Sequence, residues 1–166
     1  MRKFVLAATL ALAGTVMLSA CNKQDNAQQT AQQTQKVTKP TDPNDAKAWN
    51  AYLGQIVTAN MQGMSADRPY AYLVPAGDDA DSQSKYGRQL EAVQDVVARG
   101  VLPGNMLVFA GPSSAKTADF ITAAFKDAKP GAFKDVIVLF IGDEADKQRV
   151  TNVLTPTSAN IRFVAM

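Results

Sequence analysis

Histidine is absent from this chain of 166 residues, and cysteine occurs once, at position 21. Without histidine there is no Ser-His-Asp triad and no Cys-His pair. With a single thiol there is no disulfide within the chain and no His- or Cys-built zinc or haem centre. A dominant charge is missing as well. The 17 basic and 15 acidic side chains leave a formal +2, and from Asp42 onward 12 basic residues stand against 14 acidic ones, a balance of −2. That distribution holds neither a nucleic-acid footprint nor a polybasic lipid-binding face. Long hydrophobic stretches are scarce too. The run Phe4–Met17 falls short of the ~20 apolar residues a spanning helix wants, and Thr9, Gly14 and Thr15 interrupt it.

Met1-Arg2-Lys3 ahead of that run supplies the positive start of a secretory signal, and Leu18-Ser19-Ala20-Cys21 behind it supplies a small-residue cleavage site. The last four residues resemble the lipobox of bacterial lipoproteins. The resemblance implies that residues 1–20 form a signal peptide that is removed, and that Cys21 carries three acyl chains, palmitate among them. One chain holds a protein at a membrane only marginally, whereas two or more anchor it stably. In this family an aspartate after the cysteine keeps the protein at the inner membrane. Asn22 stands there instead, so the resemblance implies an outer-membrane protein facing the periplasm. Lipidation also consumes the only thiol and leaves no cysteine nucleophile.

Residues 22–41 are polar and rich in glutamine, with Val37 the one large apolar side chain. Such a segment buries too little to order itself and reads, with Cys21, as a flexible tether. As a coil, twenty residues span roughly 25 Å. From Asp42 to Met166 the chain is long enough for one domain. Asp42-Pro43 predicts a helix cap and a first helical residue. Trp49, Tyr52, Leu53, Ile56 and Val57 then recur at helical spacing, with an end expected near Gly63. Tyr70–Val74 reads as a strand, and Gly77–Asp81 as a polar loop. Tyr86, Leu90, Val93 and Val97 mark a second helix closed by Gly100.

Met106–Ala110 is a second strand. Ser113 or Ser114 caps a third helix, expected to run to Lys129-Pro130-Gly131. Val136–Ile141 is a strand apolar on both faces. Asp143 caps a fourth helix that stops before Pro156, and Ile161–Ala165 is a last strand whose Arg162 predicts a sheet edge. The order α-β-α-β-α-β-α-β predicts an α/β fold, a small three-layer sandwich with a four-stranded, mainly parallel sheet and helices on both faces.

In open parallel sheets ligands gather beyond the carboxyl ends of the strands. Asp78 and Asp79, then Ser113, Ser114 and Lys116, then Asp143 and Glu144 all belong to loops or helix starts expected at that end. Ala110-Gly111-Pro112-Ser113-Ser114-Ala115-Lys116-Thr117 looks like a damaged phosphate-binding loop, with alanine at both signature glycines and Pro112 removing a donor. The plainer reading is an N-cap serine and a solvated lysine. Ser113 and Lys116 also satisfy a Ser-x-x-Lys spacing, which puts nucleophile and base on one helix face. Free N–H groups at the helix start, with Lys116, suit an anion. The acidic residues suit a hard cation, although their spacing is not that of an EF-hand. Capping and solvation explain the same side chains.

The favoured expectation is a lipid-anchored envelope protein whose domain is a non-catalytic binding module for an envelope protein or cell-wall partner. It involves no cofactor, no metal and no nucleic acid. The alternative is an enzyme or small-ligand binder using the Ser113–Lys116 helix start and the acidic loops beside it.

Overall fold

The computed structural model describes residues 38–166. The expected signal peptide, Cys21 and nearly all of the tether lie outside them. Four helices and four strands alternate: α1 (Ala46–Ala59), β1 (Tyr70–Leu73), α2 (Ala80–Arg99), β2 (Met106–Ala110), α3 (Ser114–Ala124), β3 (Ile137–Gly142), α4 (Glu144–Leu154) and β4 (Asn160–Ala165). A single turn of 3₁₀ helix, Thr155–Thr157, lies between α4 and β4. The strands form one sheet in the order β1-β2-β3-β4, and every neighbouring pair is parallel.

This order has a direct consequence for the layers. Each crossover steps to the next strand in the same direction, and crossovers of one hand then place their helices on one face. Val93 and Val97 of α2, Phe120 and Ile121 of α3, and Val150 and Leu154 of α4 accordingly share one core with Phe109 and Phe140. Of the described helices only α1, which precedes the first strand, packs on the opposite face. There Trp49, Leu53 and Val57 pack on Met106, Val108, Leu139 and Ile141. The sandwich is three-layered and lopsided.

Local departures from the expected pattern have identifiable causes. The N-cap of α1 is Asp45, whose carboxylate accepts from Ala48 N–H at 2.9 Å. Asp42 instead turns the chain by accepting from Asn44 N–H, and its carbonyl accepts from Trp49 Nε1 at 2.9 Å. The indole thus fixes the approach to the helix. α1 ends at Ala59 rather than near Gly63, where Asn60 Nδ2 turns back to the Ile56 carbonyl. Asp79 is the cap of α2, so Ala80 and Asp81 belong to the helix and not to the loop. α3 stops at Ala124 because Phe125 turns into the core against Phe133, with ring centroids 5.1 Å apart. Gly100 closes α2 at φ +80°, as its position predicts.

β4 is an edge strand, as Arg162 suggested, but the arginine does not stand out in solvent. Its Nη1 donates to the Asn60 carbonyl at 2.6 Å, tying β4 to the end of α1.

Candidate functional site

Two glycines set the backbone at the carboxyl end of the sheet. A Cβ on Gly111 would lie 2.5 Å from the Val74 carbonyl oxygen, and one on Gly142 would lie 2.7 Å from Ser114 Oγ. Gly111 thus allows close approach of the chain just past β1, and Gly142 makes room for the Phe140 ring of its own strand and for Ser114 at the start of α3. Gly111, the glycine of the phosphate-loop-like stretch, is accounted for by this contact, since the carbonyl of Val74, one residue past β1, approaches the position where a side chain would begin.

Ser113 is the N-cap of α3 and its Oγ accepts from Lys116 N–H at 3.3 Å. The Lys116 side chain is not the solvated group the sequence suggests. Its Nζ donates to the Ala76 carbonyl at 2.7 Å, the Gly77 carbonyl at 3.3 Å and the Asp78 carboxylate. The ammonium thus clamps the β1–α2 loop to the start of α3. A lysine whose donors are directed to these carbonyls is poorly placed to take a proton from Ser113, and the Ser-x-x-Lys spacing does not become a nucleophile–base pair.

Ser114 behaves differently from its neighbour. It is buried, its hydroxyl donates to Asp146 Oδ2 at 2.6 Å, and it accepts from the Asp143 N–H at 2.7 Å. Arg149 donates to Asp146 at 2.8 Å, to the Ala115 carbonyl at 3.3 Å and to Asp119. The Ser114 hydrogen bond, then Arg149, holds the Asp146 carboxyl below its ordinary range, and the same ion pair raises Arg149. Asp143 occupies the N-cap position of α4 without a side-chain capping bond.

The acidic residues do not converge. Asp79 accepts from Ser82 N–H at 3.0 Å and from Ser82 Oγ at 2.6 Å, which lowers its pKa. Asp81 pairs with Lys85 and Glu144 with Lys147. Asp78 and Asp79 follow β1, Asp143 and Glu144 follow β3, and β2 stands between at ~4.8 Å per strand spacing. Among the described residues no group of three or more His, Cys, Asp or Glu side chains is placed to hold a metal ion.

What the strand ends do build is a cleft of about 370 Å³, lined by Pro75, Asp78, Gln83, Tyr86, Lys116 and Asp119 among others. Asp78 and Lys116 were legible as candidates there. Gln83, Tyr86 and Asp119 were not, because Tyr86 falls on the apolar stripe of α2 and reads as core. Its ring does meet Phe120 edge-on at 5.3 Å, while burial and the nearby Asp119 raise its phenol pKa. The strand order never reverses, so the crevice that two diverging crossovers open at a switch point has no counterpart here.

Among the described residues no helix is long and apolar enough to cross a membrane. Comparison with family models, curated proteins and solved structures finds no match to this chain.

Proposed function

We propose that the protein is a lipid-anchored lipoprotein of the cell envelope, whose α/β domain is a non-catalytic binding module. One observation carries the placement. Cys21 directly follows Leu18-Ser19-Ala20 at the end of an apolar run with a basic start, and this arrangement signals export, cleavage and acylation. Asn22 favours the outer membrane, with the domain facing the periplasm. The engagement of the candidate groups supports a binding role over catalysis. Lys116 holds a loop, Ser113 caps a helix and Ser114 ties two helices together. In this reading the polar segment 22–41 spaces the domain from the lipid surface, where it meets an envelope protein or cell-wall partner.

Labelled palmitate tests the anchor. The native chain is expected to incorporate it and to partition with membranes, while Cys21→Ser abolishes both. Label persisting in Cys21→Ser would refute the reading.

A second reading rests on the cleft beside Lys116, which is large enough for a small polar molecule. Thermal shift of the chain against phosphate, divalent cations and cell-wall fragments separates the two. Stabilisation that disappears in Lys116→Ala would favour a small-ligand binder. Absence of any shift favours a macromolecular partner.

A further inference from the structure

We propose that the β4 edge pairs with the β4 edge of a second copy of this chain, giving a two-fold dimer with one continuous sheet. The hydrogen-bond ladder identifies the free groups. Asn160 N–H donates to the Val136 carbonyl at 2.8 Å, and Met166 N–H to the Gly142 carbonyl at 3.2 Å. Even-numbered residues of β4 therefore turn their backbone toward β3. Ile161, Phe163 and Ala165 turn theirs outward, and among the described residues nothing pairs with them. The register against β3 is unbroken from Asn160 to Ala165, without bulge or proline. A bare edge of this kind is a template for another strand.

The opposite edge is blunted. β1 has four residues, with Pro69 just before it and Pro75 shortly after, and Gln89 Nε2 from α2 donates to its outward Leu73 carbonyl at 3.3 Å. Pairing is thus discouraged on one side of the sheet and left open on the other.

The side chains select the occupant. A strand laid against β4 must set no like charge directly opposite Arg162, since such pairs destabilise. Symmetric antiparallel registers that set outward residue against outward residue differ in the residue on the two-fold axis. The one centred on Arg162 puts Arg162 opposite Arg162 in the close, non-hydrogen-bonded position and is rejected. The one centred on Val164 pairs Phe163 with Ala165 but leaves Ile161 outside the paired residues of β4. The one centred on Phe163 sets Ile161 opposite Ala165 and Arg162 opposite Val164, and it alone pairs all three outward residues within β4. Every outward residue then joins a pair that exchanges two backbone hydrogen bonds, and two half-buried Phe163 side chains meet as an aromatic cross-strand pair. Arg162 is drawn off the edge by its bond to the Asn60 carbonyl. The strand matches itself in length and aromatic content, and this register keeps its one charge, Arg162, away from its copy.

Analytical ultracentrifugation of the full chain carrying Cys21→Ser, which removes the acylation site, tests the pairing. The expected result is a mass twice that of the protomer at protein concentrations in the tens of micromolar. Ala165→Pro deletes an outward N–H from an exposed position and is expected to give a monomer with an unchanged far-UV circular dichroism spectrum. Phe163→Cys, then the sole thiol, is expected to form a disulfide-linked dimer on mild oxidation, because hydrogen-bonded antiparallel residues stand about 5.5 Å apart between Cα atoms, within disulfide reach. A monomer at every concentration overturns the proposal and points to a different chain at this edge. A dimer that survives Ala165→Pro also overturns it. If Ala165→Pro fails to fold, the Phe163→Cys crosslink decides, and its absence counts against the pairing.

Discussion

Ser114 sits where two helices meet. Its hydroxyl donates a hydrogen bond to Asp146 and accepts one from the Asp143 N–H, and the serine itself is buried. Removing it leaves a protected N–H and a carboxylate short of partners, at a cost of about 2 kcal/mol. Ser114→Ala is expected to lower the melting temperature by several degrees in a calorimetric scan, whereas Ser113→Ala removes only a cap, worth about 1 kcal/mol. Asp146 adds a pH signature. Its folded-state pKa lies below the ordinary 3.8, so the native protein binds fewer protons than the unfolded chain in that range. The stabilisation is present above the unfolded value and drains away as pH falls through the folded one. Urea titrations from pH 5 downward are expected to show a stability loss that Asp146→Asn flattens. The same two bonds were invisible in the sequence, because Asp143 and Asp146 follow Ser114 by 29 and 32 residues. Lys116 taught a similar lesson. Its spacing from Ser113 could be read, but the carbonyls it holds belong to residues about 40 positions earlier.

Among the described helices α1 alone packs on one face of the sheet, and Trp49, the only tryptophan in the chain, is its deepest anchor at 2% exposure. Trp49→Ala removes a large buried ring and the indole bond to the Asp42 carbonyl, so a loss of about 4 kcal/mol is expected from chemical denaturation. Trp49→Phe keeps most of the packing and is expected to lose less than half as much. Element type was legible throughout: apolar spacing gave α1 and α2, and the unbroken runs Met106–Ala110 and Val136–Ile141 gave buried strands. Element ends were less so. Asp42-Pro43 has every local feature of a helix start, yet the indole of Trp49 holds that stretch outside the helix and leaves capping to Asp45. Phe125 ends α3 early for a comparable reason, since a ring contact with Phe133 replaces the next helical turn.

Strand order was the largest feature beyond reach of the sequence. Periodicity says that a strand is buried, not which strand lies beside it. Arg162 did announce an edge, and β4 is one. The candidate residues near the strand ends were legible as types, but without an order reversal no crevice gathers them, and of the candidates only Asp78 and Lys116 line the cleft. The described residues, 38–166, fall in one compact unit, and a chain beginning at Thr38 is expected to unfold in a single cooperative step, with Trp49 fluorescence and far-UV circular dichroism changing together. The strictly sequential sheet also bears on how the molecule is made. Each strand is laid beside the one synthesised just before it, so every strand after β1 finds one sheet partner already present when it arrives. Growth from start to finish skips no strand, and each crossover that must close spans one helix and 23 to 37 residues between paired positions. A chain emerging lengthwise from a ribosome or a secretion pore can therefore complete its fold in the order in which it appears.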